Sequence, residues 1–460
     1  MFLIIFSLFL FIAAVYCFYN NRFLYFFMPC YLFLPDYYGI EFSENFPILT
    51  ISRIITLLFY IYAFKNRKKN INIKSIKIKS LPKEYYLLFI YFFLRIISNL
   101  RYISLHGQAA KTIFSIILEQ TFLVIAFYML SPSSEELMKM LKTIVTVATV
   151  LFVLGFLESV TYIRLFDELN TVSRDMINEH YYRLGLLRAT TTMKMPGHYA
   201  NMCTIILPTI IYLYETLKQK RYLISEGLCI LAIIHSCSRA NIFFLFILFT
   251  YALLFIFKRE SRFTFLKNTL FIIVTLTLII IVLSLSSVKL RYFYEGTAKS
   301  LLNEIGFEFD LNNNVPQGAQ GFGGNTYGSA SRLEQFTGIY YTFNNHPLFG
   351  FGSGAEDRSE IKYYRFRNSS WYKHKAYDVG IVEIICDEGL LGLLAFVSLF
   401  MSLLLRISKI KATAPKSHLY FMLFSYLICT LSTANMIHFL FLIVILVIQE
   451  QNINNFIHNY

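Results

Sequence analysis

Residues 265–286 read FLKNTLFIIVTLTLIIIVLSLS, a run in which Lys267 is the only charged residue. A helix of about 20 apolar residues is long enough to cross the hydrocarbon core of a bilayer. Inside a bilayer every backbone amide must find its hydrogen bond within the protein, which a helix achieves within its own segment. The stretch therefore predicts a transmembrane helix.

Similar apolar runs recur along the whole chain of 460 residues. They lie at residues 1–19, 22–38, 47–64, 84–104, 111–130, 139–160, 194–216, 222–236, 240–257, 378–405, 418–433 and 435–450. Only 15% of the residues are charged, whereas soluble domains contain about 25%. The predicted fold class is an all-α polytopic membrane protein with twelve or thirteen transmembrane helices, depending on whether the short run 22–38 crosses. All of residues 1–460 are expected to form one integral membrane domain.

The net charge of +14 follows from basic residues concentrated in short connections between the apolar runs. The clusters lie at residues 65–79, 218–221, 258–267 and 406–416. Basic loops remain on the cytoplasmic side of a membrane, so this pattern indicates orientation and argues against binding of nucleic acid. It predicts that a smaller loop, 161–193, and a large loop, 287–377, lie on the outer, periplasmic side.

The large loop 287–377 has two parts of different composition. Residues 312–328 are rich in Gly and Asn and predict a flexible loop. Residues 362–375 read KYYRFRNSSWYKHK. Their Tyr, Trp and Arg content suits a surface that stacks on sugars and holds phosphates, but it suits an aromatic belt at the headgroups equally well.

Several chemistries are disfavoured because their motifs are missing. The sequence has no phosphate-binding Walker loop, no HExxH motif, no EF-hand and no Asp-x-Asp. All seven cysteines fall within or beside apolar runs without a CxxC spacing, which indicates packing residues. An enzyme of this kind would work without a metal or other cofactor, on a substrate already in the membrane.

Three arginines lie at the predicted outer ends of spans. Arg188 precedes Pro196, which suits the first turn of a helix; Arg239 follows Ser238, a predicted N-cap; and Arg332 lies in the large loop. A helix N-terminus together with a guanidinium group binds anions well, and the planar fork of arginine suits a diphosphate better than lysine does. The alternative is that each side chain only extends toward the headgroups.

Three charged residues, Arg53, Arg95 and Glu119, lie inside apolar runs. Intramembrane charges often line transport pathways, so a flippase or transporter is an alternative function. In a second interpretation, Arg95 and Glu119 pair with each other and fix two helices together.

In four places the chain resembles the O-antigen polymerase and O-antigen ligase superfamily. The resemblance rests on Arg188 with Pro196 eight residues later and on Ser238-Arg239 at the start of a helix. It rests further on Arg332 followed by HPLFGFGSG (346–354), and on Asp378 eleven residues before the GLLG of residues 389–392. These motifs cover roughly residues 180–400.

The resemblance implies a bacterial inner-membrane glycosyltransferase that joins undecaprenyl diphosphate-linked saccharides at the periplasmic face. Its arginines would hold the donor diphosphate, and a general base, Asp378 or His374, would deprotonate the acceptor hydroxyl. Ligases typically carry His-Asn where this chain has Asp378-Val379, which favours a polymerase of repeat units over a ligase to the lipid A-core. Expected partners are the lipid-linked donor and acceptor, membrane lipids, a chain-length regulator and a flippase.

Overall fold

The structure is a computed structural model. It describes residues 1–42, 47–68, 83–105, 107–172, 181–257, 259–304, 306–311, 315–316, 330–366, 368–373, 377–411, 413–432 and 436–449. Its helices are α1 (Phe2–Tyr19), α2 (Phe23–Phe33), α3 (Ile51–Lys65), α4 (Lys83–Leu100), α5 (Gly107–Ser115), α6 (Phe122–Leu130), α7 (Ser134–Thr161), α8 (Pro196–Leu217), α9 (Lys220–His235), α10 (Arg239–Tyr251), α11 (Arg259–Ser286), α12 (Val288–Glu304), α13 (Ala330–Asn345), α14 (Gly380–Ser408), α15 (Thr413–Cys429) and α16 (Ile437–Ile448).

Each apolar run found in the sequence contains a helix in its described residues, which confirms the all-α polytopic class. Among the described residues, seven helices are long and apolar enough to cross a membrane. They are Phe2–Tyr19, Gly107–Leu130, Ser134–Thr161, Pro196–Leu217, Arg239–Ile256, Ser261–Ser286 and Gly380–Ser408. The apolar helices α2 and α16 have only 11 and 12 residues, so the total of twelve or thirteen spans stays a prediction.

The burial of the helices separates a central group from a lipid-facing periphery. In α8, 72% of the apolar window is buried inside the protein, whereas in α1 and α11 the figure is 11%. Apolar side chains that point away from the protein carry no penalty in lipid, because the lipid tails are as apolar as they are. We infer that α8 lies at the centre of the bundle and that α1 and α11 lie at its edge.

The intramembrane charges form ion pairs, but not the pair predicted from the sequence. Arg53 on α3 pairs with Glu119, and Arg95 on α4 pairs with Glu388 on α14 at 2.7 Å. Glu388 is almost completely buried, and Asn99 also donates a hydrogen bond to it at 3.3 Å. The expectation that Arg95 pairs with Glu119 is therefore wrong, because packing brings α4 against the middle of α14.

Helix α14 contains a break at Gly389, where φ is 64° and ψ is −149°. The loop after α13 fills this break: Leu390 N donates to Pro347 O at 2.9 Å, and Gly352 N donates to Asp387 O at 2.8 Å. A Cβ at Gly389 would lie 2.4 Å from the backbone nitrogen of Gly350. Glycine is required here both for its backbone conformation and for this close approach.

The hydrophilic segment 287–377 contains regular structure in its described residues. It includes α12, α13 and a hairpin of β5 (Lys362–Arg365) and β6 (Ser370–Lys373), in which Tyr364 pairs with Trp371. Two shorter antiparallel pairs precede it in the described chain, β1 (Gly39–Ile40) with β2 (Leu49–Thr50) and β3 (Tyr182–Arg183) with β4 (Leu186–Leu187). Most of the Gly/Asn-rich stretch 312–328 lies outside the described residues. The aromatic stretch is therefore a β-hairpin packed on α13, a tertiary contact that composition alone did not predict.

Candidate functional site

A short hairpin positions two arginines against the end of α9. Strands β3 (Tyr182–Arg183) and β4 (Leu186–Leu187) are joined by Leu184 and Gly185, which both have positive φ. Two such residues form the tight turn that suits the twist of a hairpin. Arg183 donates to Cys237 O at 3.0 Å, and Arg188, which follows β4, donates through Nε to Ser236 O at 2.8 Å.

The segment that follows Arg188 is held in place by hydrogen bonds to a buried carboxylate. Glu158 accepts hydrogen bonds from the hydroxyl of Thr190 at 2.9 Å and from the backbone N–H of Thr191 at 2.8 Å. Arg164 pairs with the same carboxylate at 3.2 Å, and both of these charged side chains are almost fully buried. A buried charge that is paired and hydrogen-bonded can be tolerated, and this one gives the arginine-bearing loop a fixed position.

Arg239 lies at the first position of α10, as the sequence predicts, and α8 begins at the predicted Pro196. The expected capping hydrogen bond of Ser238 does not form. Its hydroxyl instead donates to Asn241 Oδ1 at 2.6 Å, so it binds a buried side chain of the helix and not a backbone N–H. Asn241 in turn donates to Asn201 Oδ1 at 2.8 Å, which ties α10 to α8.

A glutamate from the large loop contacts Arg239. Glu304, at the end of α12, pairs with Arg239 Nη1 at 2.5 Å. The same nitrogen donates to Ser300 Oγ at 3.4 Å. This contact brings the first helix of the large loop to the beginning of α10.

Arg332 and Asp378 come together through α13. Gln335, one turn after Arg332, accepts from the backbone N–H of Asp378 at 2.9 Å and donates to its carboxylate at 3.0 Å. Asp378 is close enough to Arg332 for their opposite charges to interact. The carboxylate of Asp378 is thus oriented by an amide and faces an arginine.

Four residues form what is hereafter called the arginine centre: Arg183, Arg188, Arg239 and Arg332. Arg183 and Arg332 interact electrostatically with each other and with both Arg188 and Arg239. Burial, and after it the positive charges of Arg183 and Arg332, lower the pKa of Arg188 to about 10. Burial also lowers the pKa of Arg332, while Asp378 opposes this effect. Like charges that are partly removed from water repel one another, so the arrangement is costly unless an anion joins it.

The compensating charge within the described residues is small. Only Arg239 forms an ion pair there, with Glu304. Arg332 makes no hydrogen bond or ion pair in the described part of the chain, and the terminal nitrogens of Arg188 make none either. Among the described residues, the carboxylates that interact with these four guanidinium groups are Glu304 and Asp378.

The structure thus brings together Arg188, Arg239, Arg332 and Asp378, but it does not describe His374. Asp378 precedes α14, which begins at Gly380. Residues 374–376, which include the second candidate base His374, lie outside the described residues.

The sequence analysis missed Arg183, Glu304 and Gln335. The turn signal near Arg183 is limited to Gly185, because Leu184-Gly185 lacks the Asn or Asp that marks most two-residue hairpin turns. No sequence signal marked Glu304 or Gln335, because their partners Arg239 and Asp378 are distant in sequence and belong to other parts of the fold.

The fold and the site define a polytopic helical membrane protein with a cluster of arginines beside helix ends. Residues 227–397, a little over a third of the chain, match the protein-family model described as O-antigen ligase. The resemblance to the O-antigen polymerase and ligase superfamily is thereby confirmed over this segment, which includes Arg239, Arg332 and Asp378. Members of this family are glycosyltransferase-like enzymes of O-antigen or glycan assembly.

No curated protein and no solved structure is significantly similar to the chain. Arg183 and Arg188 lie before the matched segment, so their assignment to the site rests on the geometry alone.

Proposed function

We propose that the chain is an O-antigen polymerase, which joins undecaprenyl diphosphate-linked oligosaccharide units at the periplasmic face of the bacterial inner membrane. The observation that carries the proposal is the arginine centre, in which four guanidinium groups interact with two carboxylates among the described residues. A diphosphate diester is doubly negative and offers several acceptor oxygens, so it matches both the charge and the fork geometry of arginine.

In the proposed reaction, a hydroxyl oxygen of the acceptor saccharide attacks the anomeric carbon of the donor saccharide. The bond between that carbon and the diphosphate oxygen breaks, and the diphosphate departs with the bonding electrons. The arginines are already in position in the folded protein, and they stabilise the negative charge that develops on the leaving diphosphate. The hydroxyl proton passes to a general base, for which Asp378 is the candidate within the described residues and His374 a second candidate.

The geometry around Asp378 supports its assignment as the base. Gln335 binds both the backbone N–H and the carboxylate of Asp378, which fixes the orientation of the side chain. One carboxylate oxygen remains available at the edge of the arginine centre. A base held in position contributes about 10²–10⁴ in rate.

Two observations favour the polymerase over the alternatives. The residues Asp378-Val379 replace the His-Asn that is typical of ligases, although the family model carries the ligase description. The charges that suggested a transporter, Arg53 and Arg95, form ion pairs with Glu119 and Glu388. Such pairs fix helices together, so Arg53, Arg95 and Glu119 are accounted for without a transport pathway.

Deletion of the gene distinguishes a polymerase from a ligase. Loss of a polymerase leaves the lipid core capped by a single repeat unit. Loss of a ligase leaves the core bare while long lipid-linked polymer accumulates, and this pattern would refute the polymerase assignment. Reporter fusions at Tyr372 and Lys411 provide a second test, since the proposal requires Tyr372 to be periplasmic and Lys411 to be cytoplasmic.

A further inference from the structure

Five aromatic rings from separate parts of the large loop form a continuous row on its surface. They are contributed by the turn after α13, by α13 itself and by the β5–β6 hairpin, in which Phe366 directly follows β5. The order of this aromatic row is Phe351, Tyr341, Trp371, Tyr364 and Phe366.

The spacing of the row is regular. Successive ring centroids are separated by 5.8, 5.7, 5.5 and 5.9 Å. Phe366 is 57% exposed and Trp371 is 44% exposed, while the other three rings are half-buried. The row therefore offers ring surface to a ligand along its length.

Hydrogen bonds hold the row in place. Thr337 on α13 accepts from the backbone N–H of Tyr364 at 2.7 Å, and Glu334 accepts from that of Phe366 at 3.2 Å. Glu334 also accepts from the hydroxyl of Tyr372 at 3.2 Å. The next residue, Gln335, orients Asp378, so the same turn of α13 supports the aromatic row and the candidate base.

We propose that the aromatic row binds the saccharide part of a lipid-linked substrate, an assignment that rests on the proposed function. A pyranose has apolar C–H faces and polar hydroxyl edges. Its weakly positive C–H groups suit the negative faces of aromatic rings. The charged ends of Lys362 and Arg365, which lie over the rings of Tyr341 and Tyr372, supply donors for hydroxyl groups.

The composition of the hairpin argues against a headgroup belt as the role of the row. A segment that lies in the membrane interface separates an apolar face from a charged face. Here Lys362 and Tyr364 alternate on one face of β5, and Trp371 and Lys373 alternate on the opposite strand, paired with them in register. Charges thus share the outward face with the rings.

The test uses Trp371, the only tryptophan in the chain. Full-length protein is reconstituted into vesicles of phosphatidylethanolamine and phosphatidylglycerol. It is then titrated with oligosaccharide repeat units freed of lipid and diphosphate by mild acid. We expect a saturable change in Trp371 fluorescence. The absence of such a change would overturn the proposal.

Variants then assign the binding to the row. Phe366→Ala and Tyr364→Ala should weaken binding by about tenfold, equivalent to about 1.4 kcal/mol, whereas Phe366→Tyr should bind as the wild type does. Tyr340→Ala is the matched control, because Tyr340 is 65% exposed on the same helix as Tyr341 but belongs to no ring contact among the described residues. Equal affinities for all four variants would overturn the proposal.

Fluorescence quenching distinguishes the proposal from the alternative that the aromatic row lies in the membrane interface. Lipids that carry a nitroxide in the headgroup region quench a tryptophan at the interface, whereas iodide quenches one in water. Stronger quenching of Trp371 by the nitroxide lipid would assign the row to the membrane and overturn the proposal. Because the titration uses no diphosphate, it can succeed or fail independently of the arginine centre, and the two proposals are tested separately.

Discussion

Arg332 allows the sharpest test of the arginine centre, because no structural hydrogen bond depends on it within the described residues. Its guanidinium is partly buried, and burial lowers its pKa, so the charge itself disfavours the fold. Replacement by Ala or Lys should therefore leave thermal stability unchanged or slightly raised. Any loss of polymer must then come from the loss of substrate contacts.

The expected loss follows from the hydrogen bonds that a guanidinium fork can make. One charge-assisted hydrogen bond contributes about 1.5–3 kcal/mol, and about 1.4 kcal/mol corresponds to a factor of ten in rate. Arg332→Ala should therefore reduce the polymerisation rate by at least about tenfold. Arg332→Lys should fall nearly as far, because lysine keeps the charge but loses the bidentate geometry.

The assay is the length distribution of polymer in a deletion strain that carries each variant, with protein levels measured in the membrane fraction. Arg291→Lys is the matched control: this arginine lies on α12, is 67% exposed and pairs with Glu295 at 2.7 Å. An exposed ion pair contributes little, so this variant should make normal polymer. Normal long polymer from Arg332→Lys would refute the assignment of Arg332 to the diphosphate.

Three further results are expected. Asp378→Asn preserves the acceptor for Gln335 but removes the base, so the turnover rate in membranes should fall by a factor of about 10²–10⁴. Full activity of this variant would indicate that His374 is the base. Burial, and after it the charges of nearby carboxylates, raise the pKa of Glu356 to about 9. The folded protein therefore keeps a proton on Glu356 at pH values where the unfolded chain has lost it. The free energy of unfolding should then decrease from about pH 5 to pH 9, by at most about 1.4 kcal/mol per pH unit. Glu356→Gln should flatten this dependence in thermal unfolding, and an unchanged slope would contradict the assignment. Gly389→Ala should destabilise the protein by about 1–3 kcal/mol or more, because φ is 64° at this position. Gly107→Ala is the control and should have little effect, because the space around Gly107 is open.

The sequence predicted some parts of the site and not others, for reasons that individual residues illustrate. Arg188, Arg239 and Asp378 were found because each lies next to a local signal, namely a helix start or a motif of the superfamily. Glu304 carries no such signal, and it joins the site only because α12 folds back to the beginning of α10. Ser238 was correctly placed before a helix, but its hydrogen bond depends on Asn241 and on the buried network behind it.

The sequence by itself determined the class of the protein and the position of each apolar helix. Those features depend on the length and polarity of local segments, because a bilayer requires about 20 apolar residues and internally satisfied amides. Only the tertiary structure decided which charges meet. Arg95 pairs with Glu388 rather than with Glu119, and the break at Gly389 is filled by a loop from a distant part of the chain. Such contacts depend on how helices of similar composition pack, and a periodic apolar pattern does not distinguish one neighbouring helix from another.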